Sequence, residues 1–394
     1  MASLWSANTP RAFWQCQPDP SPDQWQQALQ KAVPCLGLPV QADGIDSMLE
    51  LVLGEGQFGP ERWRLSPAKR LYYALKPLLP RRLTQVLRRF YGGATREAFS
   101  LGWPVEERYV RFLWEAMRQV LVLTGSTGLS YRRFWPDGHR FSFVLTHDVE
   151  RSDGQAYVRA VADLDESLGF RSSFNFVPEG YTLDHDLLRE LRTRGFEIGV
   201  HGLRHDGKLF QSHAGFLDRA ARINHYLLEL GAVGFRAPLM HRQPEWMQTL
   251  DIEYDLSFFD TDPFEPMSGG TMTIWPFQLG RFVELPYTLV QDYTLVTVLG
   301  ESTPRFWQEK VDFIERYHGM ALLNAHPDYL RDTTTRQVYA RFLHAMKERG
   351  GYWHALPMDV ARWWRTRVEP ASEAAPSGVQ LGQVTLSDHD LVLS

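Results

Sequence analysis

"FVLTHDVERS", residues 143–152, runs from strand-forming residues into His147, Asp148 and Glu150 within four positions. A strand that ends in this way is either stopping in solvent or opening a site. Alternation along an extended chain turns Asp148 and Glu150 to one side and Val149 to the other. Two carboxylates so close repel when both ionise away from water, unless a cation or an arginine stands between them. The stretch therefore asks for positive partners, and the rest of the chain can be read for them.

Outward from this stretch the same unit recurs. "FSFVLT" (141–146) precedes the amphipathic "QAYVRAVADLDESLG", "SSFNFV" (172–177) precedes "DHDLLRELRTRG", and "FEIGVH" (196–201) precedes "AGFLDRAARINHYLLELG". "VGFRAP" (233–238), "FVELPYTL" (282–289), "MALLNAH" (320–326) and "GYWHALP" (351–357) are each followed by a helical pattern as well. Repeated strand-then-helix units predict parallel strands joined by crossover helices, and their number favours a barrel over an open sheet.

In a parallel barrel the chemistry gathers at the C-terminal ends of the strands. Those ends carry His147, Asp148 and Glu150, then His201 and His205 in "HGLRH", Arg236 in "RAP", and His326 before "PDY". Two histidines four apart, with a carboxylate, make a three-ligand metal site with positions left open. Gly202 permits a sharp turn directly after the first histidine. Arg236 and a divalent metal are the positive partners the two carboxylates need. His147, Asp206, His213 and His241 read as structural or peripheral.

The barrel is assigned to 139–368, preceded by a mainly helical accessory region (1–138) and followed by a linker and loosely ordered tail (369–394). "PDQWQQALQKAV" and "VEERYVRFLWEAMRQVLVL" carry the helical spacing of the first region, which offers no catalytic constellation. The net charge of −5 gives no electrostatic reason for a nucleic-acid partner. A basic stretch at 80–96 reads as a solvated helix face, with peripheral membrane contact as the alternative. No apolar run approaches a membrane span, and no secretion signal is apparent. Two cysteines, Cys16 and Cys35, fit a reducing, cytoplasmic setting.

The ordered set "THDVE", "HGLRH", "RAP", "YDLSFFDTDPF" (254–264) and "LLNAHPDY" resembles the five motifs of the polysaccharide deacetylase family, carbohydrate esterase family 4 with its NodB-homology domain. The resemblance covers 141 to about 330 and implies a distorted (β/α)7-type barrel. It also implies metal-dependent removal of an acyl group from an amide, usually that of an N-acetylated sugar. By that likeness Asp148 is the base acting on the attacking water, held ionised by Arg236, and His201 and His205 bind the metal. His326 protonates the leaving amine, tuned by an acid of the fourth motif, Asp255 or Asp260.

Val149 between the two acids is similar to the branches with an Asp-x-Asp arrangement, which makes Glu150 the third ligand. The other assignment has Asp148 itself on the metal. The implied cofactor is Zn²⁺, with Co²⁺ or Ni²⁺ as alternatives. Leu239 stands where a Tyr often follows the third motif, and Asn324 replaces a Leu before the last histidine; the Leu239 N–H is a candidate oxyanion donor. Phe258, Phe259, Trp275, Phe277, Tyr287 and Tyr293 are either a sugar-stacking surface or core. The expected partner is a carbohydrate or acyl-amide substrate. The alternatives are a catalytically inactive barrel that binds glycan or protein, and an amidase on a non-sugar amide.

Overall fold

The structure, a computed structural model, describes residues 3–38, 44–65, 69, 96–369, 379–387 and 390–394. The basic stretch 80–96 lies outside them except for Arg96, whose guanidinium sits 4.9 Å from the Trp103 ring centre.

Seven strands make the barrel: β1 (Phe141–Val149), β2 (Ser173–Phe176), β3 (Glu197–Val200), β4 (Gly234–Phe235), β5 (Tyr254–Asp255), β6 (Phe282–Glu284) and β7 (Met320–Ala325). They lie in the order β7-β1-β2-β3-β4-β5-β6, with every neighbouring pair parallel. Past β6 the chain runs on to Leu289, which bridges in parallel to Leu323 of β7 and brings the two edges together. The fold is a distorted (β/α) barrel. Its distortion is plain in strand length, since β1 has nine residues and β4 and β5 have two each.

All nine residues of β1 are buried, as expected of a parallel strand covered on both faces. Helices follow every strand but β5 and turn one stripe inward; Arg305–Arg316, for example, buries Trp307, Val311 and Ile314 at helical spacing. Asp184, Ser212 and Asp332 cap the helices they precede by accepting from backbone N–H groups, which ends each loop at a defined residue.

The ring differs from the sequence reading in one member. Tyr352–His354 pairs with Phe141–Phe143 at the start of β1 and is not a stave of the ring. Its place is taken by β5, which lies inside "YDLSFFDTDPF" and is too short, at two residues, to show a period. Gly234 makes β5 possible: a Cβ there would lie 2.0 Å from the Tyr254 hydroxyl. The ring of Tyr254 therefore crosses β4, and its hydroxyl donates to Glu197 Oε1 at 2.7 Å.

Glu197 also accepts from the Met358 N–H (3.1 Å). Burial pushes its carboxyl up to about 7 from the ordinary 4.5. A raised folded value stabilises the protein fully below the unfolded value, and the gain is lost as pH climbs through the folded one. The wild type is therefore expected to lose roughly 3 kcal/mol between pH 4.5 and 8 from this group, at 1.36 kcal/mol per unit. Glu197→Gln should flatten that slope in urea unfolding at pH 5, 6, 7 and 8; an equal slope in both proteins would assign the loss elsewhere.

The N-terminal region carries helices Pro10–Trp14, Pro22–Ala32, Ile45–Val52 and Arg108–Thr124. Its apolar core is continuous with that of the barrel. Phe13 and Trp114 lie 4.9 and 5.6 Å from Trp275, ring centre to ring centre. The expected loose tail is corrected as well. Leu381–Ser387 pairs antiparallel with Gly128–Arg132 and with Asp390–Leu393, and Val384 is fully buried. Its alternation is short and mostly exposed, which is why it did not stand out as a strand. No helix among the described residues is long and apolar enough to cross a membrane.

Candidate metal centre

The register of the first three strands assembles the floor of the site. Asp148 of β1 stands opposite Asn175 of β2, and Asn175 opposite Gly199 of β3. The Asn175 amide turns toward Asp148 and donates to its Oδ1 at 3.0 Å. It has room to do so because Gly199 has no Cβ; one built there would lie 2.1 Å from Asn175 Oδ1. Gly199→Ala is expected to displace Asn175 and lower stability by about 1–3 kcal/mol, the ordinary cost of overpacking, as thermal denaturation would read it.

Arg236 follows β4 and is fully buried. Its Nη1 donates to Asp148 Oδ1 (3.0 Å), Thr146 Oγ1 (3.0 Å) and Asn324 Oδ1 (2.6 Å), and its Nε to the Leu256 carbonyl (2.9 Å). Asn324 Nδ2 donates to Asp148 Oδ2 at 2.8 Å. Burial raises the Asp148 carboxyl, but the charge of Arg236, with His326 behind it, outweighs this and holds the group well below the carboxylate range.

Above this floor, one ligand atom from each of Glu150, His201 and His205 lies within 4.8 Å of the others. His201 Nδ1–H donates to the Arg236 carbonyl at 3.0 Å, which leaves Nε2 as the lone-pair nitrogen. That Nε2 is buried without a hydrogen-bond partner among the described residues, and so is Nε2 of His205. Nε2 of His205 and Oε1 of Glu150 stand 3.0 Å apart without the angles of a hydrogen bond. Ligand atoms about 2.0–2.2 Å from one tetrahedral ion lie roughly 3.3 Å from each other, so two orphaned imidazole nitrogens and a carboxylate fit a divalent cation of the zinc type. Gly202 takes φ 63, the left-handed turn expected after His201.

Electrostatics follow the same geometry. Burial holds His201 down to about 4, so its imidazole is neutral at neutral pH. Burial lowers His205 too, but Glu150 beside it outweighs this and raises it; Glu150 is in turn held low by His205 against its own burial.

His326 follows β7, with Nε2 4.0 Å from Asp148 Oδ2 and 3.8 Å from Glu150 Oε1. Its Nδ1–H donates to Asp292 Oδ1 (2.7 Å), and its backbone N–H to Asp292 Oδ2 (2.9 Å). Burial lowers His326, but Asp292 prevails and lifts it to about 10.

Asp148, Glu150, His201, His205, Arg236 and His326 thus meet at one end of the barrel. The partner of His326 is Asp292, a residue the sequence reading missed. Asp255 instead accepts from Ser257 Oγ, and Asp260 pairs with Lys310. Asn175 was missed as well, although an amide inside the apolar "SFNF" was a signal in plain view.

Of the six aromatic candidates, Phe258 and Phe277 pack on Trp5, Trp275 on Phe13 and Phe134, and Phe259 on Tyr287, all in the core. Tyr293 alone stays near His326, through Tyr329. His147 is bound to Asp165, Asp206 to Arg219, and His213 packs on Trp246.

No family model matches the chain, and no curated protein matches it. Among solved structures, a putative polysaccharide deacetylase from Mycobacterium smegmatis aligns at TM-score 0.48 and 19% identity, over 62% of this chain and 96% of its own. Puue allantoinase aligns at 0.48 and 15%, over 60% and 94%. A probable polysaccharide deacetylase from Pseudomonas aeruginosa PAO1 aligns at 0.48 and 16%, over 61% and 96%. Likenesses of this size carry no argument about activity; the fold stands on its strand order and the chemistry on its side chains.

Proposed function

We propose that the chain is a metal-dependent hydrolase of amide bonds that deacylates an N-acylated amino sugar or glycan intermediate. One observation carries the reading: the ligand atoms of Glu150, His201 and His205 converge within 4.8 Å beside the Asp148–Arg236 pair and His326. Those three residues would hold a Zn²⁺ ion, which would supply charge for a developing oxyanion and acidify water.

The chain's own groups do the rest. Asp148 keeps its negative charge against Arg236 and accepts the proton of the attacking water on Oδ2. Asn324 already donates to that oxygen and fixes its direction. These hydrogen bonds support Asp148 as base and Glu150 as ligand. His326 carries its proton at neutral pH, and Asp292 on Nδ1 leaves Nε2–H as the donor to the departing amine. The free thiols Cys16 and Cys35 fit a reducing, cytosolic setting.

A second reading, an amidase on a smaller non-sugar amide, draws on the fate of the aromatic candidates, most of which belong to the core and offer a sugar no stacking face.

The test is release of acetate from N-acetylglucosamine and its oligomers by zinc-loaded protein, alongside a panel of N-acetylated amines and cyclic amides. Chelator-sensitive release from the sugars supports the first reading, and release from the others alone supports the second. No hydrolysis of any amide by protein with bound zinc would sink both and leave an inactive barrel.

A further inference from the structure

Glu55 lies in the N-terminal region, far in sequence from every motif, yet it is 1% exposed and takes φ 55, a left-handed conformation that glutamate seldom adopts. Four donors complete its carboxylate. Oε1 accepts from Arg242 Nη2 (2.5 Å) and the Gly270 N–H (2.8 Å); Oε2 accepts from Arg242 Nε (2.7 Å) and Trp63 Nε1 (2.9 Å). Gly269 is required beside it, since a Cβ there would lie 2.4 Å from Glu55 Oε1. Arg242 is equally buried and lies over the rings of Phe258 and Phe259, 5.0 and 4.7 Å from their centres. The pair is bidentate, so it fixes orientation as well as distance.

Arg242 ends the loop that began at Arg236. Its Nη1 donates to the Met240 carbonyl at 2.9 Å. Leu239 and Met240, held between, take φ 60 and 53, a path that persists only where the surroundings impose it. The same loop supports the histidines. The Arg236 carbonyl orients His201, a Cβ on Gly202 would lie 2.5 Å from Pro238, and one on Gly207 would lie 3.2 Å from Leu239 Cδ1. A continuous series of contacts therefore leads from Glu55 to His201, whose Nε2 would hold a cation.

We propose that Glu55 is a positioning residue for the metal centre: its ion pair with Arg242 holds the 236–242 loop in the path that sets His201 and the His201–His205 turn. This rests on the metal-centre reading above, and it makes the N-terminal region part of the site.

Glu55→Ala alone strands a buried Arg242 charge and risks unfolding. The variant to measure is therefore the full chain with Glu55→Gln and Arg242→Met, which removes both charges and keeps an oxygen acceptor for one of the two remaining donors, the Gly270 N–H or the Trp63 Nε1–H. Three readouts are compared with wild type: zinc affinity by chelator competition, the thermal midpoint, and amide hydrogen exchange over 236–247. The expected result is zinc bound about tenfold less tightly, the low end for lost outer-shell support, with faster exchange in that loop and a midpoint close to wild type. Unchanged zinc affinity per folded chain overturns the proposal, whether or not the midpoint falls, because the pair would then only hold the fold together. Wild type that takes up no zinc overturns the metal centre instead. Exchange over 236–247 then judges the clamp: faster exchange in the variant supports it, and unchanged exchange overturns it.

Discussion

Replacing His201 by Ala is expected to take zinc from about one ion per chain to a trace, weakening binding by more than the roughly 10–100-fold that follows loss of an outer-shell partner. Three protein ligands are the minimum that structural chemistry assigns to a catalytic zinc, so the loss of one leaves a two-point site. His201 is the best fixed of the three here. Its Nδ1–H is committed to the Arg236 carbonyl, and its Nε2 has no hydrogen-bond partner among the described residues. Glu150→Ala should behave alike, since Glu150 Oε1 faces the His205 nitrogen at 3.0 Å. Elemental analysis of well-folded, zinc-supplied protein decides it. Metal retained at wild-type stoichiometry without His201 would move the centre away from these residues; metal lost on removing Asp148 would make Asp148 a ligand.

The second large effect is that of Asp148→Asn. Turnover is expected to fall by about 10²–10⁴-fold, the span assigned to a positioned acid–base group. Stability should fall by about 3–5 kcal/mol, because the substitution leaves the Arg236 charge buried without its carboxylate. Geometry adds to this. Asp148 receives N–H donors on both oxygens, from Asn175 and Arg236 on Oδ1 and from Asn324 on Oδ2. An Asn side chain must turn its own NH₂ toward one of those donors. Denaturant unfolding and acetate release on the same preparation separate the two losses. Wild-type turnover in the variant would remove Asp148 from the role of base, and wild-type stability would remove Arg236 as a charge that depends on it.

Much of the site was legible because its residues stand where strands end. His201, Arg236 and His326 each stand directly after an apolar run, with His205 four residues past the first of them, and a parallel barrel sends such positions to one face. Asp292 shows where that stops. The resemblance puts the tuning acid at Asp255 or Asp260, within the fourth motif. The chain past β6 instead closes the barrel against β7, with Thr288 donating to the Met320 carbonyl and Leu289 bridging Leu323, and the residues that follow bring Asp292 beside His326. No period in the sequence encodes that meeting, because it depends on how the two edges of the sheet come together.

By itself the sequence determined the parallel α/β architecture, the seven-fold count of strand units and the set of polar residues at the strand ends. These follow from periodicity and from burial on both faces, which are local properties. The tertiary structure decided which seven segments form the ring, with Tyr254–Asp255 in and Tyr352–His354 out. It decided that Asn175 and Asn324 donate to Asp148, that Asp292 accepts from His326, and that Glu55 pairs with Arg242. Each of those is a contact between segments distant in the chain, where the energy lies in a buried polar group finding its partner. Such pairing becomes visible only once strand register and barrel closure have put the two side chains within hydrogen-bond reach.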